Sequence, residues 1–181
     1  VFSKTGSGVA HCPSSNMRLA SGIAPLTQFL KAGVKTGLGV DGSASNDSSH
    51  MLADARQAML LARLNAGLKG ASLSSTGEEI LSVRQALEIA TRGGASVLGR
   101  KDIGSLEVGK CADFIAFDLN HLDYAGALHD PVAALLLCQP RGVDYSYVKG
   151  KPVIQEGHLM GLDLEKQIRI HNKAAARLVE G

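Results

Sequence analysis

Asp41 is the side chain whose position in this sequence most favours chemistry. It directly follows residues 34–40, an apolar run that predicts a buried strand, and it precedes a Ser- and Asn-rich turn at residues 42–47. In closed barrels of parallel strands, catalytic groups lie at the carboxyl ends of the strands. A carboxylate there can bind a metal ion or move a proton, whereas the alternative is that Asp41 only caps the turn. The polar turn favours the functional interpretation, because such side chains orient carboxylates by hydrogen bonds.

A second group of polar side chains follows another short predicted strand, at residues 9–12. His11 and Cys12 are adjacent on that strand and should point to opposite faces, so they are poorly placed to bind one ion together. Ser14 and Asn16 come next. They could present polar groups to a pocket at the strand end, but turn formation would explain them equally well.

Two further patterns carry little weight. Residues 37–42 match the GxGxxG pattern of dinucleotide-binding loops, but Gly37 and Gly39 fall inside the apolar strand rather than after it. A dinucleotide-binding loop needs these glycines at the start of the following helix. The remaining histidines form no HxH or HExxH pair; they are His50, His121, His129, His158 and His171.

The elements around these residues predict a parallel α/β arrangement. Helices are expected at residues 23–32 and 50–66, after the first and second strands respectively, with Asp47 or Ser48 capping the second helix. An order of strand, helix, strand, helix is typical of parallel sheets. A Ser-rich connection follows at residues 67–76.

The next helix is marked by a capping box. Ser82 and Gln85 have the spacing of that motif, and the helix is expected over residues 83–92, ending at the Gly93–Gly94 pair. Beyond about residue 98 the pattern becomes β-rich. The predicted elements there are a strand at residues 112–118, a hairpin of residues 143–148 and 152–155, and a C-terminal helix at residues 163–180.

Composition excludes several classes of protein. The net charge is +2, and the seven aromatic residues include no Trp, which disfavours a nucleic-acid groove. The longest apolar run, residues 132–138, is far shorter than the roughly 20 residues of a membrane-spanning helix. The three cysteines show no CxxC motif and no secretory signal is visible, so a reducing, cytoplasmic location is expected.

Four segments together resemble a known family. Residues 8–25 (GVAHCPSSNMRLASGIAP) and 37–47 (GLGVDGSASND) look like the seventh and eighth barrel strands of the amidohydrolase superfamily. The branch is that of the cytosine, guanine, S-adenosylhomocysteine and chlorotriazine hydrolases, nearest to the 8-oxoguanine deaminases. Residues 103–113 and 148–153 resemble parts of the small β-sandwich that accompanies such barrels.

The resemblance implies an α/β fold: the C-terminal part of a (β/α)8 TIM-type barrel at residues 1–100, part of a β-sandwich at 101–162, and a terminal helix at 163–181. It also implies hydrolytic deamination of a heterocycle, 8-oxoguanine or a related aminopurine, with one divalent metal, zinc first and iron or manganese as alternatives. Asp41 would bind the metal and take a proton from its water. The supporting or substrate-side residues would be Asn16, Ser43 and Asn46.

The family pattern is incomplete here. The first-strand HxH, the fifth- and sixth-strand histidines and the proton-shuttling Glu are absent and would precede Val1, since a barrel takes about 250 residues. We therefore expect the C-terminal portion of a longer enzyme, homo-oligomeric when complete, with a small heterocyclic substrate and no nucleic-acid or membrane partner. Alone, the chain should be inactive, and its unpaired strand edges should make it associate.

Three alternatives stay open at this point. The enzyme could be a deaminase or dechlorinase of the S-adenosylhomocysteine or triazine type. The chain could instead be a scaffold or assembly module without catalysis. A dinucleotide-binding domain is the third alternative, and it rests only on the glycine pattern of residues 37–42.

Overall fold

The computed structural model describes residues 1–71, 80–138 and 142–180, which form two compact units. The first comprises residues 1–110 and 119–141, and the second comprises residues 111–118 and 142–181. These units group the chain differently from the domains expected at residues 1–100, 101–162 and 163–181. Residues 72–76 of the Ser-rich connection expected at residues 67–76 lie outside the described residues.

The first unit contains the predicted pair of parallel strands. β1 (Gly8–His11) pairs with β2 (Lys35–Leu38) in parallel, in a register that sets Gly8 beside Lys35 and His11 beside Leu38. A short helix, α1 (Phe2–Thr5), precedes β1, and α3 (Leu26–Lys31) leads into β2. The expected strands and their order are confirmed, although the helix is shorter than predicted because it begins after Pro25.

The segment after β1 differs from the expectation of a turn. Residues Pro13–Arg18 form a helix, α2, with Pro13 in its first turn. Proline is well suited to that position, since its fixed φ matches the helix and no helical hydrogen bond needs its missing N–H. Ser14, Ser15 and Asn16 therefore lie on a helix directly behind the end of β1.

The longest helix of the first unit is α4 (Met51–Leu68). Its cap is His50, whose Nδ1 accepts a hydrogen bond from the Ala53 N–H at 3.4 Å, so the prediction of Asp47 or Ser48 as the cap was wrong. One face of this helix forms an apolar stripe, and Met51, whose spacing predicted a place on it, is exposed. The buried side chains of the stripe are Leu52, Ala55, Ala58, Met59 and Ala62.

The helix that opens at the capping box does not end at Gly93–Gly94, which corrects the prediction. α5 (Val83–Glu88) continues through a π-helical turn (Ile89–Gly93) into α6 (Gly94–Val97). A Cβ on Gly93 would lie 2.2 Å from the Thr36 carbonyl oxygen, and a Cβ on Gly37 would lie 2.9 Å from the Gly94 Cα. The glycines therefore allow close contact between the helix and β2 instead of stopping the helix.

The capping box itself is confirmed in both directions. The Gln85 N–H donates to the Ser82 hydroxyl oxygen at 3.2 Å, and the Ser82 N–H donates to Gln85 Oε1 at 2.9 Å. A further helix, α7 (Pro131–Leu137), is capped by Asp130 and was not predicted. A 3₁₀ turn (Leu122–Tyr124) precedes it.

Replacing Ser82 with alanine should lower the free energy of unfolding by about 1 kcal/mol, because an N-cap hydroxyl satisfies an otherwise unpaired helix N–H. Urea unfolding followed by circular dichroism measures the change. Ser96→Ala is the matched control, since Ser96 is exposed within α6 and has no hydrogen-bond partner for its side chain among the described residues. Equal effects of the two substitutions would contradict the capping role.

The second unit is a four-stranded antiparallel sheet in the order β3 (Phe114–Ala116), β4 (Tyr145–Val148), β5 (Lys151–Gln155) and β6 (His158–Leu159). The predicted hairpin is confirmed, with its turn at Lys149 and Gly150, both at positive φ. The predicted C-terminal helix is also present, as α8 (Leu164–Glu180). In the part of the chain that is described, no helix has the length and apolarity to cross a membrane.

Candidate active site at the carboxyl ends of two parallel strands

The carboxyl ends of β1 and β2 lie side by side. The Gly39 N–H donates to the His11 carbonyl oxygen at 2.9 Å, which extends the strand pairing by one step beyond β2. After this point the chain enters α2 on one side and the loop of residues 39–50, here called the Asp41 loop, on the other. Side chains from α2 and from the Asp41 loop can therefore meet at this end of the strands.

Asp41 is exposed, and two hydroxyl groups bind its carboxylate. Asp41 Oδ2 accepts hydrogen bonds from Ser15 Oγ at 2.7 Å and from Ser45 Oγ at 3.0 Å. Ser15 belongs to α2 and Ser45 to the Asp41 loop, so one carboxylate oxygen joins the two segments. The Ser15 hydroxyl, the Gly42 N–H and the Ser45 hydroxyl, in that order, lower the pKa of Asp41 below its ordinary value. The side chain is therefore an accessible anion at neutral pH.

The backbone at Asp41 is in the left-handed region, with φ of 62°. Residues other than glycine seldom adopt this conformation, although Asp tolerates it better than most. Strained backbone of this kind tends to persist at functional sites because the surroundings hold it in place. At Asp41 the two serine hydrogen bonds do so.

A second acidic side chain at this end of the strands, Asp54, was not predicted from the sequence, and unlike Asp41 it is buried. Asp54 is in the first turn of α4 and is 0% exposed. Its Oδ1 accepts a short hydrogen bond from the Ser14 hydroxyl, which also lies 2.7 Å from Gln57 Oε1, and its Oδ2 accepts one from Asn46 Nδ2 at 3.0 Å. A signal was present in the sequence, since an acid four residues before Ala58 lies on the apolar stripe of the helix.

The candidate residues other than Asp41 occupy different places. Asn46 is buried, and besides binding Asp54 its Oδ1 accepts from the Ser48 hydroxyl at 3.1 Å and the Ser49 N–H at 3.3 Å, so it folds the Asp41 loop from within. Ser43 is exposed on that loop. Asn16 is half-buried on α2, and its side chain has no hydrogen-bond partner among the described residues. The serines that hold the two carboxylates, Ser14, Ser15 and Ser45, were not predicted in that role.

His11 and Cys12 contribute neutral groups. His11 is 5% exposed, and burial lowers its pKa, opposed in part by the charge of Asp54. Burial raises the pKa of the half-buried Cys12 thiol, and the charges of Asp41 and Asp54 raise it further. At neutral pH this end of the strands therefore carries the anionic Asp41 with an uncharged imidazole and an uncharged thiol nearby.

The chemistry of these groups fits a metal ion only in part. A carboxylate oxygen that is anionic and accessible, as in Asp41, is a ligand that zinc accepts. Across residues 1–71, 80–138 and 142–180, however, no three His, Cys, Asp or Glu side chains form a group that could hold a metal ion. Asp41 thus fits as one ligand of an ion whose other ligands are not among the described side chains.

Comparison with known proteins gives consistent matches over nearly the whole chain. Residues 1–153 match the model of the amidohydrolase family. The chain is 47% identical over 178 residues to an 8-oxoguanine deaminase of Pseudomonas aeruginosa, covering 98% of this chain and 37% of that protein. It is 42% identical over 174 residues to a 5-methylthioadenosine/S-adenosylhomocysteine deaminase of Pelotomaculum thermopropionicum, covering 95% of this chain and 38% of that protein.

A solved structure agrees with these matches. An adenosine deaminase from Xanthomonas campestris with bound zinc superposes with a TM-score of 0.89 at 32% identity, covering 99% of this chain and 39% of that one. The chain thus spans less than two fifths of the length of each of these proteins.

Proposed function

From the premise that the chain belongs to the amidohydrolase family, we propose that it is the C-terminal portion of a metal-dependent enzyme that hydrolytically deaminates a heterocycle. In this proposal the parallel strands β1 and β2 are two strands of a (β/α)8 barrel, and the antiparallel sheet of the second unit is part of a β-sandwich. The parallel pairing of β1 and β2 with intervening helices supports the first assignment, and the order β3–β4–β5–β6 supports the second.

The observation that carries the proposal is the state of Asp41. Its carboxylate lies just beyond the carboxyl end of β2, is exposed, and is held by Ser15 at 2.7 Å and Ser45 at 3.0 Å with its pKa lowered. Barrel enzymes place their catalytic groups at this end of the strands. A carboxylate that only capped a turn would not need a partner from α2.

Asp41 would bind one divalent metal, zinc or alternatively iron, together with ligands from the rest of the complete polypeptide. When bound, such an ion lowers the pKa of a coordinated water toward about 7. Asp41 would accept the proton that the water loses and pass it to the amino group of the substrate. The water oxygen would form the new C–O bond at the ring carbon that bears the amino group, the C–N bond would break, and ammonia would leave with the proton from Asp41.

The residues around Asp41 have supporting roles in this proposal. Ser15 and Ser45 keep Asp41 ionised and oriented, and Asn46 keeps the Asp41 loop folded. Ser43 and Asn16 are proposed to face the substrate, because Ser43 is exposed beside Asp41 and the Asn16 side chain is not bound by another described group.

The proposed substrate is 8-oxoguanine or a related aminopurine. The 47% identity with an 8-oxoguanine deaminase supports this choice, whereas the 42% identity with an S-adenosylhomocysteine deaminase keeps that substrate class as the alternative. We further propose that the complete enzyme is cytoplasmic, in keeping with three cysteines that show no CxxC motif. We also propose that it is a homo-oligomer.

Ammonia release by the complete polypeptide tests the proposal. The zinc-loaded protein is given 8-oxoguanine, guanine, S-adenosylhomocysteine or an amino-substituted triazine, and kcat/KM is measured for each. We expect the highest value with 8-oxoguanine and none with the 181-residue chain alone. A higher value with another of these substrates would overturn the purine assignment, and no release from any of them would overturn deamination, leaving the scaffold alternative.

A further inference from the structure

We propose that Asp54 is a positioning residue for Asp41: it clamps α2 to the Asp41 loop and so fixes the two serines that hold the Asp41 carboxylate. This inference rests on the function proposed for Asp41. It adds a role for a buried acid that neither the sequence motifs nor the resemblance to the family assigns.

The arrangement of hydrogen bonds carries the inference. Each of the two segments supplies two consecutive residues, Ser14 and Ser15 from α2, and Ser45 and Asn46 from the Asp41 loop. Ser14 and Asn46 donate hydrogen bonds to Asp54. Their neighbours Ser15 and Ser45 donate hydrogen bonds to Asp41. The two carboxylates therefore bridge the same two segments.

Consecutive residues cannot move independently, because adjacent Cα atoms are about 3.8 Å apart. If Ser14 and Asn46 separate, Ser15 and Ser45 must move with them. The distances of 2.7 and 3.0 Å at Asp41 Oδ2 therefore depend on the inner bridge that Asp54 makes. Hydrogen bonds of this outer kind orient the residues that contact a metal ion.

The burial of Asp54 supports a role beyond stability. The side chain is 0% exposed, and its hydrogen bonds come from a neutral hydroxyl and a neutral amide. Among the described residues, no Lys or Arg forms an ion pair with it. Burying a polar side chain is costly unless it is hydrogen-bonded, and an apolar side chain of similar volume would avoid that cost. What the carboxylate adds here is two acceptor oxygens that face the two segments.

The Asp41 loop also offers a matched control. Asp47, on the same loop, forms an ion pair with Arg18 of α2, so it joins the same two segments from the outside. Both side chains are exposed, at 51% for Arg18 and 73% for Asp47. Exposed ion pairs contribute little to stability. Asp47→Asn therefore removes one carboxylate from the Asp41 loop without touching the buried bridge that Asp54 makes from α4.

The experiment uses the complete polypeptide and compares Asp54→Asn with Asp47→Asn. Zinc affinity is measured by competition with a chromogenic chelator, and kcat and KM are measured separately. We expect Asp54→Asn to weaken zinc binding and lower kcat by about 10-fold, the lower end of the range for residues that hydrogen-bond a metal ligand directly, with a much smaller change in KM. Asp47→Asn should match the wild-type protein in all three quantities.

A second pair of variants covers the case in which Asp54→Asn does not fold. Ser14→Ala removes the donor on α2 and keeps Asp54, whereas Ser15→Ala removes the hydrogen bond to Asp41 directly. If the two serines act in series, their effects on zinc affinity should be non-additive, so that the double variant loses little more than the larger single variant. Additive losses would overturn the clamp.

The two proposals fail in different ways. A wild-type protein that neither binds zinc nor releases ammonia refutes the function proposed for Asp41. An active, zinc-binding wild-type protein whose folded Asp54→Asn variant has unchanged zinc affinity and kcat refutes only the positioning role. An Asp54→Asn variant that unfolds at lower urea but keeps its zinc affinity also refutes the positioning role, because it shows that Asp54 serves stability alone.

Discussion

Replacing Asp41 with asparagine in the complete polypeptide should lower kcat/KM by about 10³-fold or more. Removal of a general base typically costs 10²- to 10⁴-fold, and the same substitution also removes a charged metal ligand. The amide has nearly the shape of the carboxylate, and its oxygen can still accept hydrogen bonds from Ser15 and Ser45. The fold should therefore survive, so the loss reports on chemistry.

The measurement is steady-state ammonia release together with the zinc content of the purified protein. Asp47→Asn is the control for loss of one carboxylate from the Asp41 loop, because Asp47 forms an exposed ion pair with Arg18. Zinc occupancy should fall in the Asp41 variant and not in the control. An Asp41→Asn protein with more than about a tenth of the wild-type kcat/KM would falsify both roles given to this carboxylate.

The sequence alone predicts Asp41 as a site residue, because its signal is local. A polar residue directly after an apolar strand, followed by a Ser- and Asn-rich turn, is visible in one short window. The parallel pairing that gives the position its meaning was also predictable from the order of strands and helices, and the pairing of β1 with β2 confirms it.

The residues that hold Asp41 were not predictable in the same way. Ser14 and Ser15 follow a proline, and turn formation was expected to explain Ser14 as well as a role in a pocket would. Their partners lie 40 and 26 residues further along the chain, at Asp54 and Asp41. Such contacts depend on how α2 and α4 pack around the strand ends, which no local pattern encodes. Asp54 could have been noticed only as an acid on an apolar stripe.

The Gly93–Gly94 pair shows the same limit for the fold. Paired glycines usually end a helix, since glycine costs about 1 kcal/mol within one. Here both residues have ordinary right-handed helical angles, with φ of −59° and −57°, and the helix continues to Val97. The cause is tertiary, because the helix backbone approaches β2 too closely for a side chain at Gly93.

Gly93→Ala should therefore destabilise the protein by about 3 kcal/mol, in the upper part of the range for overpacking of a close contact. The added Cβ would lie 2.2 Å from the Thr36 carbonyl oxygen, which is backbone and cannot turn aside like a flexible side chain. Either β2 or the π-helical turn must shift. Since β2 leads directly to Asp41, zinc affinity should fall together with stability.

Gly94→Ala provides the matched control one residue away. A Cβ at Gly94 has no atom within 4 Å, and the backbone is equally helical, so alanine should stabilise the protein by about 0.5–1 kcal/mol through its higher helix propensity. Urea unfolding of both variants measures the two changes. Opposite signs are expected because both substitutions have the same intrinsic effect on the helix and differ only in the contact with β2. If both substitutions stabilised the protein, the close contact between Gly93 and β2 could not be the reason for glycine at this position.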